Sequence, residues 1–359
     1  MKRIVVKIGS NVLTRADGAL DITRMSALVD QVAELRAKGL EIILVSSGAV
    51  ASGRSELKLE KKLDPVSARQ LFSAVGQAKL INRYYELFRE HHILCGQALT
   101  TKENFGSRSH YLNQKRCLEA MLENGVIPVV NENDTVSVTE LMFTDNDELS
   151  GLVAAMMGAD ALVILSNVDG IYNGNPAEPG VGVVPEIRKG MENPSDYVHA
   201  ATSSFGRGGM LTKCNIARKV AGEGILAIVA NGKRENILLQ LLEEGSRTPC
   251  TRFIPSPKPA SNVKKWIAHS EGFAKGEIHL NQGAVQALGQ PRAVSVLLVG
   301  VTRIVGDFEK DDIVRIINHE GKQMGVGCTA YSSRDAARMA GQKDKKPLVH
   351  YDFLYIDES

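Results

Sequence analysis

The sequence predicts an α/β protein: an open, mostly parallel sheet sandwiched by helices, followed by a smaller, mostly β domain. Three observations carry this reading. Aliphatic runs at 3–9 (RIVVKIG), 40–46 (LEIILVS), 127–131 (IPVVN), 161–166 (ALVILS) and 225–230 (ILAIVA) alternate with stretches of helical period, as expected of strand–helix–strand units. A proline-rich stretch, IPSPKPAS at 254–261, ends that alternation. Beyond it only short strand-like segments and turns follow, with one short helix around 333–340.

The first unit sets the pattern. The β-branched run at 3–9 reads as a buried strand. In the helix that follows, Ile22, Met25, Leu28, Val29, Val32 and Leu35 recur at steps of three and four, and Gly39 supplies a stop. The run at 40–46 then pairs in parallel through a right-handed crossover. The alternation continues with helices over about 110–123, from near Thr144, and over about 209–222, each beside one of the later strands. Three prolines within 254–261 resist both helix and strand and mark a linker. The expected domains are 1–253, a linker at 254–268, and a β domain over 269–359 built on GEIHL, AVSVLLVG, DIVRIIN and LVHYDFLYI.

A chain of 359 residues with 43% hydrophobic and 23% charged residues suits two globular domains. Its formal net charge of +2 provides no general pull toward nucleic acid or anionic lipid. Five scattered cysteines, an odd number with no CxxC, point to reduced thiols. The N-terminal apolar run is broken by Lys7, too early for a signal peptide, and no stretch approaches the ~18 apolar residues of a membrane span. The expectation is a cytoplasmic protein without membrane contact.

In open α/β sheets ligands bind beyond the carboxyl ends of the strands, so the motifs there carry the functional reading. Lys7 lies inside an apolar strand, where an ammonium is costly unless it is paired or reaches a cleft; an edge-strand lysine facing water also fits. Gly9 follows it and would allow close approach of a phosphate. SSGAVASG at 46–53, with Ser47 and Gly48, offers a backbone anion nest or a tight packing turn. NEND at 131–134 places Asp134 where it could hold an amino group, or it forms an Asx turn. TDNDELS at 144–150 reads as a cap in which Thr144 and Asp147 act together, and also as a positive helix end, with Asn146, facing a carboxylate. GRGGMLTK at 206–213 puts Lys213 behind flexible glycines in the first turns of a helix, a phosphate site or an ordinary surface loop.

Neither common nucleotide signature is present. There is no GxxxxGK[ST], and the single GxGxxA, Gly222 to Ala227, runs from helix into strand, the reverse of a dinucleotide site. Two ammonium groups flanking a transferring phosphoryl group nevertheless fit an ATP-dependent kinase. A carboxylate acceptor, with a pKa near ~4.3, is already ionised and needs no general base, which accounts for motifs without a well-placed histidine.

Taken in order and spacing, VVKIGS, VSSGAVASG, VVNENDTV, TDNDELS, SNVDGIY and GRGGMLTK closely resemble the glutamate 5-kinase family of the amino acid kinase superfamily. GEIHLNQGA and DIVRIINHEGK resemble the PUA domain appended to many bacterial members, so the likeness spans nearly the whole chain. It implies the amino acid kinase fold plus a PUA-like domain. It also implies ATP- and Mg2+-dependent phosphorylation of the glutamate side-chain carboxylate to glutamyl 5-phosphate, the first step of proline biosynthesis. By the same likeness Lys7 and Lys213 contact the phosphoryl group and Asp147 orients them. ATP falls to Lys7, Gly9, Ser166, Asn167, Arg207, Gly208, Gly209, Met210, Leu211, Thr212 and Lys213, and glutamate to Ser47, Gly48, Asp134 and Asn146. No protein-held metal site is implied. Feedback inhibition by proline, assembly as a homodimer or homotetramer and a downstream glutamyl phosphate reductase as partner also follow from the resemblance. Two positions depart from the family: Asn167 stands where many members have Asp, and Arg207 where they have Thr or Ser.

Two other readings compete. Aspartokinases and acetylglutamate kinases share the superfamily, but the former usually carry ACT repeats and the latter usually lack an appended β domain. PUA domains often bind RNA. Here residues 269–359 hold six Lys and five Arg against seven Asp and five Glu, a net charge of −1 where a phosphate-reading surface should be basic.

Overall fold

The computed structural model describes every residue except 59, 107, 138–142, 144, 177, 192–208, 258–266, 268–273, 291–293, 344 and 357–359. Most of the expected 254–268 linker, Thr144, Arg207 and Gly208 therefore lie outside the described residues. The chain divides into two compact units, Met1–Thr101 with Lys115–Pro259, and Lys102–Gln114 with Ala260–Ser359.

In the first unit eight strands form one sheet: β1 (Arg3–Ile8), β2 (Glu41–Ser46), β3 (Leu94–Thr100), β4 (Val126–Glu132), β5 (Ala161–Ser166), β6 (Glu186–Ile187), β7 (Leu226–Asn231) and β8 (Cys250–Phe253). Their order is β3-β4-β2-β1-β5-β7-β8-β6. All neighbours run parallel except β7 and β8. The chain lays β2, β3 and β4 on one side of β1 and β5 and β7 on the other. That reversal opens a crevice at the carboxyl ends around β1, the usual place for a ligand in such sheets.

Helices α1 (Ser10–Leu13), α2 (Ile22–Ala37), α3 (Ala49–Glu56), α4 (Pro65–Glu90), α5 (Glu103–Gly106), α6 (Arg108–Glu123), α7 (Asn146–Met157), α8 (Met210–Gly222) and α9 (Ile237–Leu242) connect the strands. In α2, Asp21 caps the first turn by accepting from Arg24 N at 3.1 Å, and Met25, Leu28, Val29, Val32 and Leu35 are buried, the predicted face. That face joins Ile4, Val6 and Ile8 of β1 and Leu80, Tyr84 and Phe88 of α4 in one core. Because side chains alternate along a strand, Val5 and Lys7 face the other layer, where α7 and α8 pack together. Among the described residues no helix is long and apolar enough to cross a membrane.

Helix α4 and strand β3 did not emerge from the sequence pattern. The edge strand β3 carries Gly96 and Gln97 and leaves Leu94 and Leu99 exposed, so its period is blurred. In α4 the apolar stripe is broken by Gly76, which serves a crossing. A Cβ at Gly76 would lie 1.8 Å from Ala49 O, and one at Gly53 would lie 1.8 Å from Phe72 O. Only glycine lets α3 and α4 meet backbone to backbone there.

The second unit is a five-stranded sheet of β9 (Gly276–Leu280), β10 (Val301–Gly306), β11 (Ile313–Ile317), β12 (Gln323–Cys328) and β13 (Leu354–Ile356), in the order β10-β9-β11-β12-β13. Only β9 and β11 pair in parallel. Helices α10 (Gln282–Leu288) and α11 (Ser333–Met339) accompany it, capped by Asn281 and Ser332. Phe308, Ile278, Val314, Ile316 and Leu348 form its separate core. The predicted strand AVSVLLVG is instead a bridge from Val296 to Val349 and a 3-10 turn, Leu298–Gly300, leading into β10. Of the expected last strand, Leu354–Ile356 joins the sheet and Val349 makes the isolated bridge, and β12 was not foreseen.

Replacing Gly76 by Ala is expected to lower stability by about 1–3 kcal/mol through overpacking, read as an earlier midpoint in denaturant unfolding. An unchanged midpoint would mean that α3 and α4 do not approach this closely in solution.

Candidate active site

Lys7 is in β1, paired with Val45 of β2 and Ile164 of β5, so it belongs to a central strand and not an edge. Its side chain is 6% exposed. Burying an ammonium there requires a partner, and α7 provides one. Asp147, fully buried in the first turn of α7, lies with Oδ1 2.6 Å from Lys7 Nζ and Oδ2 2.9 Å from Lys213 Nζ. Lys213 comes from the first turn of α8, whose N-cap is Gly209. One carboxylate thus spans two cations from two different elements. Burial pulls the Asp147 carboxyl upward, but the two ammonium groups hold it below the ordinary carboxylate value.

The cap of α7 differs from expectation by one residue. Asp145, not Thr144, is the N-cap: its Oδ1 accepts from Asp147 N at 2.8 Å and Glu148 N at 3.0 Å. Asp145 has a short side-chain acceptor suited to a cap and Glu148 three positions on, which is why the helix starts one residue later than the Thr144 reading expects. Burial, then the neighbouring Asp147, pushes the Asp145 carboxyl up to about 6. Its Oδ2 is buried without a hydrogen-bond partner among the described residues.

A second set of residues adjoins this one. Asn146 donates from Nδ2 to Ser47 Oγ at 2.9 Å, to Asn131 Oδ1 at 2.9 Å and to Ser46 O at 3.3 Å. Ser47 N donates to Ile8 O at 3.0 Å, tying the ends of β1 and β2. Gly48 next to it has φ 105, a left-handed conformation that favours glycine and turns the chain directly into α3. Gly9 donates to Leu165 O at 3.1 Å, and a Cβ there would come within 3.6 Å of Lys7 Nζ. Ser47, Gly48, Asn146, Gly9, Lys7, Asp147 and Lys213 are thus brought together in the structure.

Asp134 sits farther along, in a carboxylate pair the motif reading did not resolve. The Arg69 guanidinium of α4 contacts Asp134 Oδ1 and lies 3.1 Å from Glu132 Oε2, and Ser73 Oγ donates to Asp134 Oδ2 at 3.3 Å. Glu132 Oε1 accepts from Phe143 N at 2.8 Å, pinning the far side of the segment between β4 and α7. Burial raises both carboxyls and takes Glu132 up to about 7 despite the Phe143 and Arg69 contacts. A cavity of about 310 Å³ opens here, lined by Ser73, Gln77, Gln97, Glu132, Asp134 and Thr135 among others. Arg69 and Gln77 lie on α4, the helix missed in the sequence.

The remaining predicted residues group at the ends of β5 and α8. Ser166 is buried at the end of β5, its Oγ 3.4 Å from Asn167 Oδ1. Gly209, Met210, Leu211 and Thr212 form the start of α8, with Leu211 exposed. Among the described residues no three His, Cys, Asp or Glu side chains gather to hold a metal.

Because Glu132 is held protonated to about pH 7 from an ordinary 4.5, the folded chain binds a proton there that the unfolded chain has released. Its contribution to stability is full below the unfolded value and is lost as pH rises through about 7. Glu132→Gln is therefore expected to lose less thermal midpoint than the parent between about pH 5.5 and about pH 8. Equal losses would place the titration elsewhere.

The amino acid kinase family matches residues 2–231, and the PUA domain matches residues 276–351. A glutamate 5-kinase of Bacteroides thetaiotaomicron is 67% identical over 355 residues, covering 99% of this chain and 98% of that protein. A glutamate 5-kinase of Chlorobaculum tepidum is 48% identical, covering 99% and 97%. Among solved structures, carbamate kinase from Giardia lamblia bound to AMP-PNP shares the fold with a TM-score of 0.52 at 16% identity, covering 71% of this chain and 99% of that one. The chain belongs to the amino acid kinase family and, within it, to the glutamate 5-kinases.

Proposed function

We propose that the protein transfers the terminal phosphoryl group of ATP to the side-chain carboxylate of glutamate, forming glutamyl 5-phosphate for proline biosynthesis. The observation that carries this is the buried Lys7–Asp147–Lys213 bridge at the carboxyl ends of the central strands. Phosphoryl transfer needs alignment and charge neutralisation above all, and two ammonium groups held by one carboxylate supply both. Lys7 and Lys213 stabilise the transferring group, and Asp147 fixes where they stand. The acceptor carboxylate is ionised at neutral pH, so no base is required.

Ser47, Gly48, Asp134 and Asn146 hold glutamate in this reading; Ser166, Asn167 and the segment 207–213, together with Gly9, hold ATP. Mg2+ characteristically takes one or two carboxylates together with substrate phosphates. Asp145, whose buried Oδ2 beside the lysines is unpartnered among the described residues, fits that role. When bound, the ion supplies neutralisation of phosphate charge. We further propose a kinase domain over 1–253, a linker at 254–268 and the PUA-like domain over 269–359. A cytoplasmic homodimer or homotetramer, inhibited by proline and handing its labile acyl phosphate to a reductase, completes the proposal.

ADP release measured with glutamate, aspartate and N-acetylglutamate tests the substrate; turnover is expected with glutamate, and turnover with only one of the other two overturns it. Lys213→Ala should lower kcat by about two orders of magnitude or more with little change in the glutamate KM, because its contact strengthens in the transition state. Unchanged turnover would remove Lys213 from the mechanism.

A further inference from the structure

Gln77 belongs to neither the lysine bridge nor the predicted substrate residues, yet it ends a hydrogen-bonded chain that begins at them. The direction of that chain is fixed by a backbone group. Ser46 O can only accept, so the Asn146 amide must turn its NH2 toward it, and the same NH2 reaches Asn131 Oδ1 at 2.9 Å. Asn131 then presents its own NH2 to Gln77 Oε1 at 2.8 Å. Gln77 is left with its NH2 as the free end of the relay. Nε2 is buried and has no hydrogen-bond partner among the described residues, and the residue is 7% exposed. A buried amide donor left unmade costs ~1–3 kcal/mol, which a ligand acceptor in the cavity would recover.

Gln77 also lines the cavity of about 310 Å³ together with Asp134 and Glu132. The cavity therefore joins the Arg69-paired acids Glu132 and Asp134 to an amide donor. In the glutamate reading Asp134 takes the ammonium; an amide donor suits a carboxylate, and an α-amino acid head carries both. The Asn131 and Asn146 amides connect this place to Ser47, at the end where the side-chain carboxylate meets the lysines.

We propose that Gln77 is a specificity-determining residue that donates from Nε2 to the α-carboxylate of the amino acid substrate while its Oε1 holds Asn131 and, through it, Asn146 in orientation. The proposal rests on the glutamate kinase reading above and adds the group that recognises the end of the substrate remote from the phosphorylated one. A hydrogen bond to a charged group is worth ~1.5–3 kcal/mol, about 10- to 150-fold in kcat/KM.

The test is the ratio of kcat/KM for glutamate to that for its α-amide, isoglutamine, which keeps the acceptor carboxylate and the amino group but loses the α-carboxylate charge. Gln77→Glu retains an acceptor for Asn131 and replaces the donor by a negative group. Its ratio is expected to fall about 100-fold or more relative to the parent, carried by KM. Gln77→Leu, which retains neither function, should lower the ratio about 10-fold or more. Thermal midpoints identify a variant that does not fold, and the other variant then decides. Losses on glutamate and isoglutamine by the same factor would reduce Gln77 to a structural member of the relay and overturn the proposal. A parent enzyme inactive on glutamate would overturn the kinase reading first and this assignment with it.

Discussion

The placement of one carboxylate organises the site. Asp147 lies in the first turn of a helix laid over the central strand and pairs with two buried ammonium groups at once. Desolvating a charge costs several kcal/mol, and removing one partner from a buried ion pair is among the more damaging changes a fold can suffer. Each cation belongs to a different element, Lys7 to β1 and Lys213 to α8. The bridge therefore ties the sheet to the outer helical layer, and the stable arrangement of that layer coincides with the arrangement that aims both cations. Asp145 adds control: as cap it sets where α7 begins, and its remaining oxygen modulates the net charge around the lysines.

The second organising element is polar and uncharged. Ser47, Asn146, Asn131 and Gln77 pass one hydrogen-bond direction from a backbone carbonyl to a cavity, so no amide in the series is free to flip independently. Beside it Arg69 gathers Glu132 and Asp134, and Phe143 N ties Glu132 to the approach to α7. Two kinds of rigidity meet here. The ion bridge positions charge, and the amide series positions shape.

Much of this was legible in the sequence because strand ends concentrate ligands and the motifs sat at strand ends. Lys7 could be singled out as an ammonium inside an apolar run, and its central strand removes the edge alternative. Lys213 and Asp147 could be placed at helix starts from glycine and cap signals. The cap itself slid by one residue because Asp145 also has a short side-chain acceptor, with Glu148 three positions on. Arg69 and Gln77 were invisible for another reason: they lie on α4, whose apolar stripe is interrupted by a glycine needed for helix crossing, and a side chain's partner across ~60 residues leaves no local period to read. In the β unit, short strands at irregular spacing blurred into turns, so β12 escaped and AVSVLLVG was overread.

The crossing of α3 and α4 has a consequence for how this sequence can vary. A methyl group at Gly76 would meet the backbone at Ala49 and Gly53, and one at Gly53 would meet the backbone at Phe72. Neither clash is with a side chain that could shrink in compensation, so no second substitution nearby relieves the first. The contact can be inherited or lost, but not edited by degrees. Since α3 begins after Gly48 and α4 carries Gln77, that fixed junction acts as a gauge block between the turn that follows β2 and the cavity. Side chains lining the cavity can then change while the spacing between its walls stays constant.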